Sequence, residues 1–293
     1  MNGFSLGRAF SETFAFLKNN WLSMLLWMGG AVLVLAIVFS VMIGGNLAIL
    51  TNGATGPDNA GAVLAFIGQF FLFGLFAMVV TYGAGMMIWR MGLSREGSPG
   101  DIGWALLAGL SYAFAMFVIM IAAYLVIVLA AMVVMVVFGV TGGSMGAFSN
   151  PGSMGMGGGM IAAMIALYLA VIVAIMWFQG RMLVAGPIMA DRRTTNPFSA
   201  IAQSWRMSAP AQWHILGFLV VFSILSYVIF FVLGMLGAAV IAAVGGQSAM
   251  SGVAAMIAIG IIVYLPFLMI WMSIPPGVYR ALGGIDDSAE VFA

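Results

Sequence analysis

The chain has 293 residues, 64% of them apolar and 6% charged, with a formal net charge of +1. An ordinary soluble domain has roughly a quarter of its residues charged, so this chain cannot cover a surface facing water, but it can cover one facing lipid. Nine basic residues are too few for a phosphate-tracking groove, which excludes nucleic acid as a partner, and zero cysteines remove disulfides, thiolate nucleophiles and thiolate metal sites together.

The expected fold class is all-α: a polytopic transmembrane helical bundle of about six spans with cytoplasmic interfacial amphipathic helices, forming a single integral membrane domain over residues 1–293. Residues 1–20 hold Arg8, Glu12 and Lys18 and lack the short apolar run of a cleavable signal, so the first apolar run reads as a retained span. Within them Phe10, Phe14, Leu17 and Trp21 recur at helical spacing, which predicts an interfacial helix leading straight into that span. Apolar, charge-free runs of at least the roughly 20 helical residues that cross a hydrocarbon core follow at 21–43, 61–89, 104–140, 160–178, 213–244 and 252–274. They pair as hairpins over 21–89, 90–178 and 213–274, with a cytoplasmic loop and amphipathic helix over 179–212 and a tail over 275–293.

The loops expected outside, 44–60, 141–159 and 245–251, carry Asp58 as their only charge and read as flexible connectors. The middle one is rich in methionine, which fits either a mobile loop or soft thioether ligation of Cu(I). On the other side, Ser98-Pro99 and Asn196-Pro197 each supply a cap and a first helical residue. After Asn196, the residues Phe198, Ile201, Ala202 and Trp205 form an apolar stripe, and Ala209-Pro210 ends that helix before Trp213. Odd-numbered spans begin near Trp21, Trp104 or Trp213; even-numbered spans leave through Trp89-Arg90, Trp177 with Arg181, and Tyr279-Arg280. This pattern fits three repeated hairpins, or the Trp and Arg preference of the bilayer boundary itself.

All nine cations fall between or beyond spans on one side: Arg8, Lys18, Arg90, Arg95, Arg181, Arg192, Arg193, Arg206 and Arg280. Lys and Arg stay cytoplasmic, so both termini are expected in the cytoplasm. Ala162, Ala166, Ala170 and Ala174 in span four, and Gly234, Ala238 and Ala242 in span five, repeat every fourth residue and predict close helix contacts, within the chain or between chains.

No expected span has an ionisable residue in its interior, so ion-coupled transport lacks its usual machinery. Gln69 is the one deep amide and needs a partner in hydrocarbon. Pro266 predicts a kink in span six. His214 beside Trp213 reads as an interface anchor or a titratable group. Asp286 and Asp287 have no His or Cys near them in sequence, and no catalytic residue, metal site or cofactor is expected. The group Arg181, Arg192, Arg193 and Arg206 is the candidate contact for anionic membrane lipids or a partner membrane protein, although topology signalling explains it as well.

Residues 196–217, Asn-Pro-Phe-Ser-Ala-Ile-Ala-Gln-Ser-Trp-Arg-Met-Ser-Ala-Pro-Ala-Gln-Trp-His-Ile-Leu-Gly, resemble a segment of bacterial membrane proteins grouped with the membrane domain of glycerophosphodiester phosphodiesterase. The start at 7–21 and Val278-Tyr-Arg-Ala-Leu282 look like that group too. The resemblance implies a multi-helix domain of the bacterial inner membrane without the phosphodiesterase reaction, which belongs to a separate soluble barrel rich in acidic and histidine ligands. The function expected is non-enzymatic binding of lipids or partner membrane proteins, possible homo-oligomers included, through the cytoplasmic face. The alternatives are a transporter or channel for a small or amphipathic solute, and a lipid enzyme in which Glu96, Asp101, Asp191 and His214 converge.

Overall fold

The computed structural model describes residues 4–51, 60–93, 101–141, 158–244 and 249–283, and among them every regular element is helical. In chain order these are α1 (Leu6–Thr51), α2 (Ala60–Leu93), α3 (Ile102–Thr141), α4 (Gly158–Met182), α5 (Ala185–Arg192), α6 (Pro197–Ser208), α7 (Gln212–Val244) and α8 (Ala249–Ala281). Five stretches are long and apolar enough to cross a membrane: Leu6–Met42, Val63–Leu93, Ile102–Val133, Ile165–Arg192 and Pro197–Leu236. The chain is therefore an all-α helical bundle and a multi-pass membrane protein. The sixth expected span coincides with α8, a helix of 33 residues.

Among the described residues, packing is concentrated at one end of the bundle. α1 lies most extensively against α8, and α2 lies between α1 and α3. The core joins Ala9, Phe16, Met24 and Met28 of α1 with Met86 to Trp89 of α2, Ala105 and Ala108 of α3, Ile215 and Phe218 of α7, and Ile274 and Val278 of α8. Two close approaches allow this. A Cβ at Gly109 would strike the backbone of Gly83, and one at Gly277 would strike the backbone of Thr13, so α2 crosses α3, and α1 crosses α8, almost backbone to backbone. Toward the opposite end the apolar side chains of α3, α4 and α7 turn outward, Leu125, Val126, Leu169, Tyr227 and Phe231 among them.

The structure makes several faces and boundaries more definite. α1 runs unbroken for 46 residues, about 69 Å at 1.5 Å per residue, and so takes in both the expected interfacial helix and the first part of the loop at 44–60. Its inward face is Ala9, Thr13, Phe16, Met24 and Met28, while Phe14 and Trp21 of the apolar stripe point outward. Of the small-residue rows of α4 and α7, Ala166, Ala170, Ala174, Gly234, Ala238 and Ala242 are exposed, which leaves contact between chains as the open reading, and the side chain of Ala162 lies outside the described residues. The expected tail is helical as far as Ala281, and Val278 and Tyr279 are buried.

The loop expected between spans four and five contains the most enclosed element of all. In α5 every residue from Ala185 to Ala190 is buried, and it packs on α2 and α6. Gly186 makes room for the Trp89 ring, which any Cβ there would strike. The helix closes at Arg193 in the left-handed region, φ 51° and ψ 39°, whose backbone N–H donates to the Met189 carbonyl. The methionine-rich segment 142–157 and the Ser98-Pro99 cap lie outside the described residues.

Candidate functional site

The three arginines that end the even-numbered spans perform one task. A helix leaves its last four carbonyls without partners inside the helix, and cations at that end are favoured by the helix dipole. Arg90 Nη1 donates to the carbonyls of Ala190 and Asp191 in the last turn of α5, at 3.1 and 3.2 Å. Arg181 Nη1 donates to the Trp205 carbonyl in the last turn of α6, at 2.9 Å. Arg280 Nη2 donates to the Gly92 carbonyl in the last turn of α2, at 2.7 Å. Each arginine thus closes the end of a helix other than its own.

Two aspartates complete a polar hub around the first of these. Asp101, directly before α3, lies 3.5 Å from Arg90 Nε and 2.7 Å from Arg193 Nη2, with its side chain only 6% exposed. The Tyr279 hydroxyl donates to Asp191 Oδ2 at 2.9 Å. Among the described residues the hub brings together two arginines and two aspartates, and it ties α2, α3, α5 and α8 together. This is a structural use of charge: Asp101 and Asp191 are held by arginine and tyrosine. His214 lies elsewhere, with its ring edge-on to Phe4 at 6.5 Å between centroids, and Glu96 lies outside the described residues.

The α8 helix needs a comparable repair. Pro276 has no N–H, so the carbonyl four residues earlier, that of Met272, has no donor within the helix. Trp89 Nε1 donates to that carbonyl at 2.8 Å. A buried carbonyl left open would be costly in a medium without water, and the indole removes the cost.

Arg181 is set differently from the other two. Its guanidinium lies 5.3 Å from the Trp177 ring and 5.1 Å from the Trp205 ring, and Nη2 donates to Gln212 Oε1. Its own backbone carbonyl accepts from Ser204 Oγ at 2.7 Å. Its acceptors are neutral, and among the described residues no carboxylate faces it. α6 itself starts as expected: the Asn196 side chain accepts from the N–H groups of Phe198 and Ser199, with Pro197 first in the helix. The face turned inward is Pro197, Ala200, Ser204 and Ser208, so Phe198 is left 60% exposed.

Comparison with family models, curated proteins and solved structures found no match. The likeness to the phosphodiesterase-associated membrane domain is therefore an expectation carried by residues 7–21, 196–217 and 278–282, and no match supports it.

The four arginines singled out in the sequence are not gathered at one place. Arg181 is half-buried between two tryptophans, and Arg193 pairs with Asp101. Arg192 and Arg206, at the ends of α5 and α6, are exposed and have no carboxylate partner among the described residues. Gln69 lies on an exposed face of α2 beside Phe70 and is not isolated there. Sequence reasoning missed the roles of Asp101, Asp191, Arg90, Trp89 and Tyr279. The available signal was Pro275-Pro276 in an apolar run, because freed carbonyls require donors.

Proposed function

We propose that this chain is a non-enzymatic protein of the bacterial inner membrane whose charged end faces the cytoplasm and binds anionic lipid headgroups. One observation carries the reading. Among the described residues, with Arg90, Arg181 and Arg280 on helix ends and Arg193 on Asp101, Arg192 and Arg206 on neighbouring helices are exposed and have no carboxylate partner, and Phe198 is exposed at the start of α6. Juxtamembrane cations attract anionic headgroups at about 1 kcal/mol each, and an outward aromatic on a short amphipathic helix suits the boundary layer. The exposed row Gly234, Ala238 and Ala242 on α7 supports a packed helix partner there, a second copy or another membrane protein. The resemblance carried by 196–217 belongs with this reading and adds no reaction to it.

The test is the lipid composition around the purified protein in nanodiscs. Wild type is expected to enrich phosphatidylglycerol over phosphatidylcholine, and the double variant Arg192→Gln/Arg206→Gln to lose most of that enrichment. Unchanged enrichment would reduce both arginines to topology signals. A single cysteine at Thr195 in this cysteine-free chain is expected to react with an impermeant reagent only when the cytoplasmic side is open.

A further inference from the structure

An open groove of about 600 Å³ runs along one face of α4, lined by Leu169, Ala170, Val173, Ala174 and Trp177, and meets Trp213 of the first turn of α7 at one end. We propose that it holds one acyl chain of an anionic phospholipid whose phosphate is drawn to Arg181. The proposal rests on the lipid-binding reading only for the class of ligand; its site is separate from Arg192 and Arg206.

Shape and charge both select this occupant. From Leu169 to Trp177 the groove follows about 12 Å of helix axis at 1.5 Å per residue, close to the depth of one leaflet, about half of a hydrocarbon core of roughly 30 Å. The wall is apolar along that length, and Ala170 and Ala174 leave it open where longer side chains would fill it. Two tryptophans stand at the end nearest the charged residues, as indoles do at a membrane boundary. One helical turn beyond Trp177 comes Arg181, stacked on Trp177 and Trp205. Its bonds go to the Trp205 carbonyl and Gln212, both neutral, and among the described residues no carboxylate compensates its charge.

A cation in a medium of low dielectric attracts an anion more strongly than it would in water, and guanidinium matches phosphate geometry. A helix from a second copy fits less well. It would meet Trp177 and Trp213 across its path where small residues are needed, and it would bring Arg181 no counter-charge.

The experiment uses the intact protein from nanodiscs of phosphatidylcholine with a minority of phosphatidylglycerol, and counts by native mass spectrometry the lipids that remain after release. Wild type is expected to keep one phosphatidylglycerol per chain, several-fold preferred over phosphatidylcholine. Ala170→Trp, which fills the groove without touching Arg181, is expected to lose the retained lipid. Arg181→Gln is expected to keep a lipid but lose the preference, and Arg181→Lys to keep most of the preference. Arg192→Gln/Arg206→Gln should leave the retained lipid in place even as enrichment in the surrounding lipid falls. Three results would overturn the proposal: no retained lipid in wild type, retention unaffected by Ala170→Trp, or retention lost in the Arg192/Arg206 double variant instead. Efficient disulfide dimerisation of Ala170→Cys would also overturn it, by assigning the groove to a second copy.

Discussion

At the scale of single residues, the charged end is organised by supply and demand for hydrogen bonds in a nearly dry medium. Trp89 is the clearest case, since its indole satisfies the Met272 carbonyl that Pro276 leaves open. Trp89→Phe is expected to lower unfolding stability by about 1–3 kcal/mol, the cost of an unsatisfied buried acceptor. Pro276→Ala restores a donor within α8 and should shrink that loss, so chemical unfolding of both single variants and the double variant tests coupling rather than mere damage. Strict additivity would refute the pairing. Asp101 faces two arginines but depends on them unequally. Asp101→Ala takes the carboxylate from beside Arg90, whose side chain is only 12% exposed, and should cost up to about 3–5 kcal/mol. Arg193→Gln removes a partner that is 56% exposed and should cost at most about 1 kcal/mol. Equal losses from the two variants would show that Arg90 does not need Asp101.

At the scale of elements, what was legible in the sequence was whatever depends on local chain chemistry. The α6 start at Asn196-Pro197, the break at Ala209-Pro210 and the long apolar helices follow from caps, proline and composition, and the structure has them. The inward faces were not legible. The stripes holding Phe14 and Trp21 in α1 and Phe198 in α6 marked sides suited to the boundary layer, but not which residues pack on the protein. At a membrane boundary the large aromatics find a favourable exterior, which frees Thr13, Ser204 and Ser208 to face the protein, where small side chains permit closer contact. α5 was missed for a related reason: Ala185-Gly-Pro-Ile-Met-Ala190 is too short for a span, and its burial depends on Trp89 and Arg90, distant in sequence. The site was legible as a set of arginines but not as a division of labour, because which carbonyls lie open is a tertiary fact. One element-scale prediction follows from the α6 cap. Asn196→Ala removes the acceptor for two N–H groups and should cost about 0.5–2 kcal/mol. Amide exchange is expected to quicken most in the first turn of α6, and uniform quickening through α4 and α7 would contradict a local cap.

At the scale of the whole molecule, the bundle is a packed end joined to helices that spread their apolar sides outward, and the two parts should respond oppositely to the same substitutions. Met189 in α5 is fully buried, whereas Leu125 in α3 is 55% exposed. Met189→Ala opens space inside the protein and should cost about 2–5 kcal/mol, while Leu125→Ala should cost little because lipid tails fill the space that is left. A charge reverses the usual surface rule. On a water-facing helix an exposed Leu→Arg change is close to neutral, but at the centre of a membrane helix an arginine costs about 2.5–3.5 kcal/mol on insertion scales. Leu125→Arg is therefore expected to be strongly destabilising although the side chain touches little protein. A matching change at Phe198, exposed to a similar degree but on α6, should be tolerated and should increase binding to anionic vesicles. Unfolding from bicelles compares all four variants in one medium. If Leu125→Arg proved as benign as Leu125→Ala, the outward faces of α3 would be covered by something other than lipid, and a protein partner would have to be sought along that helix.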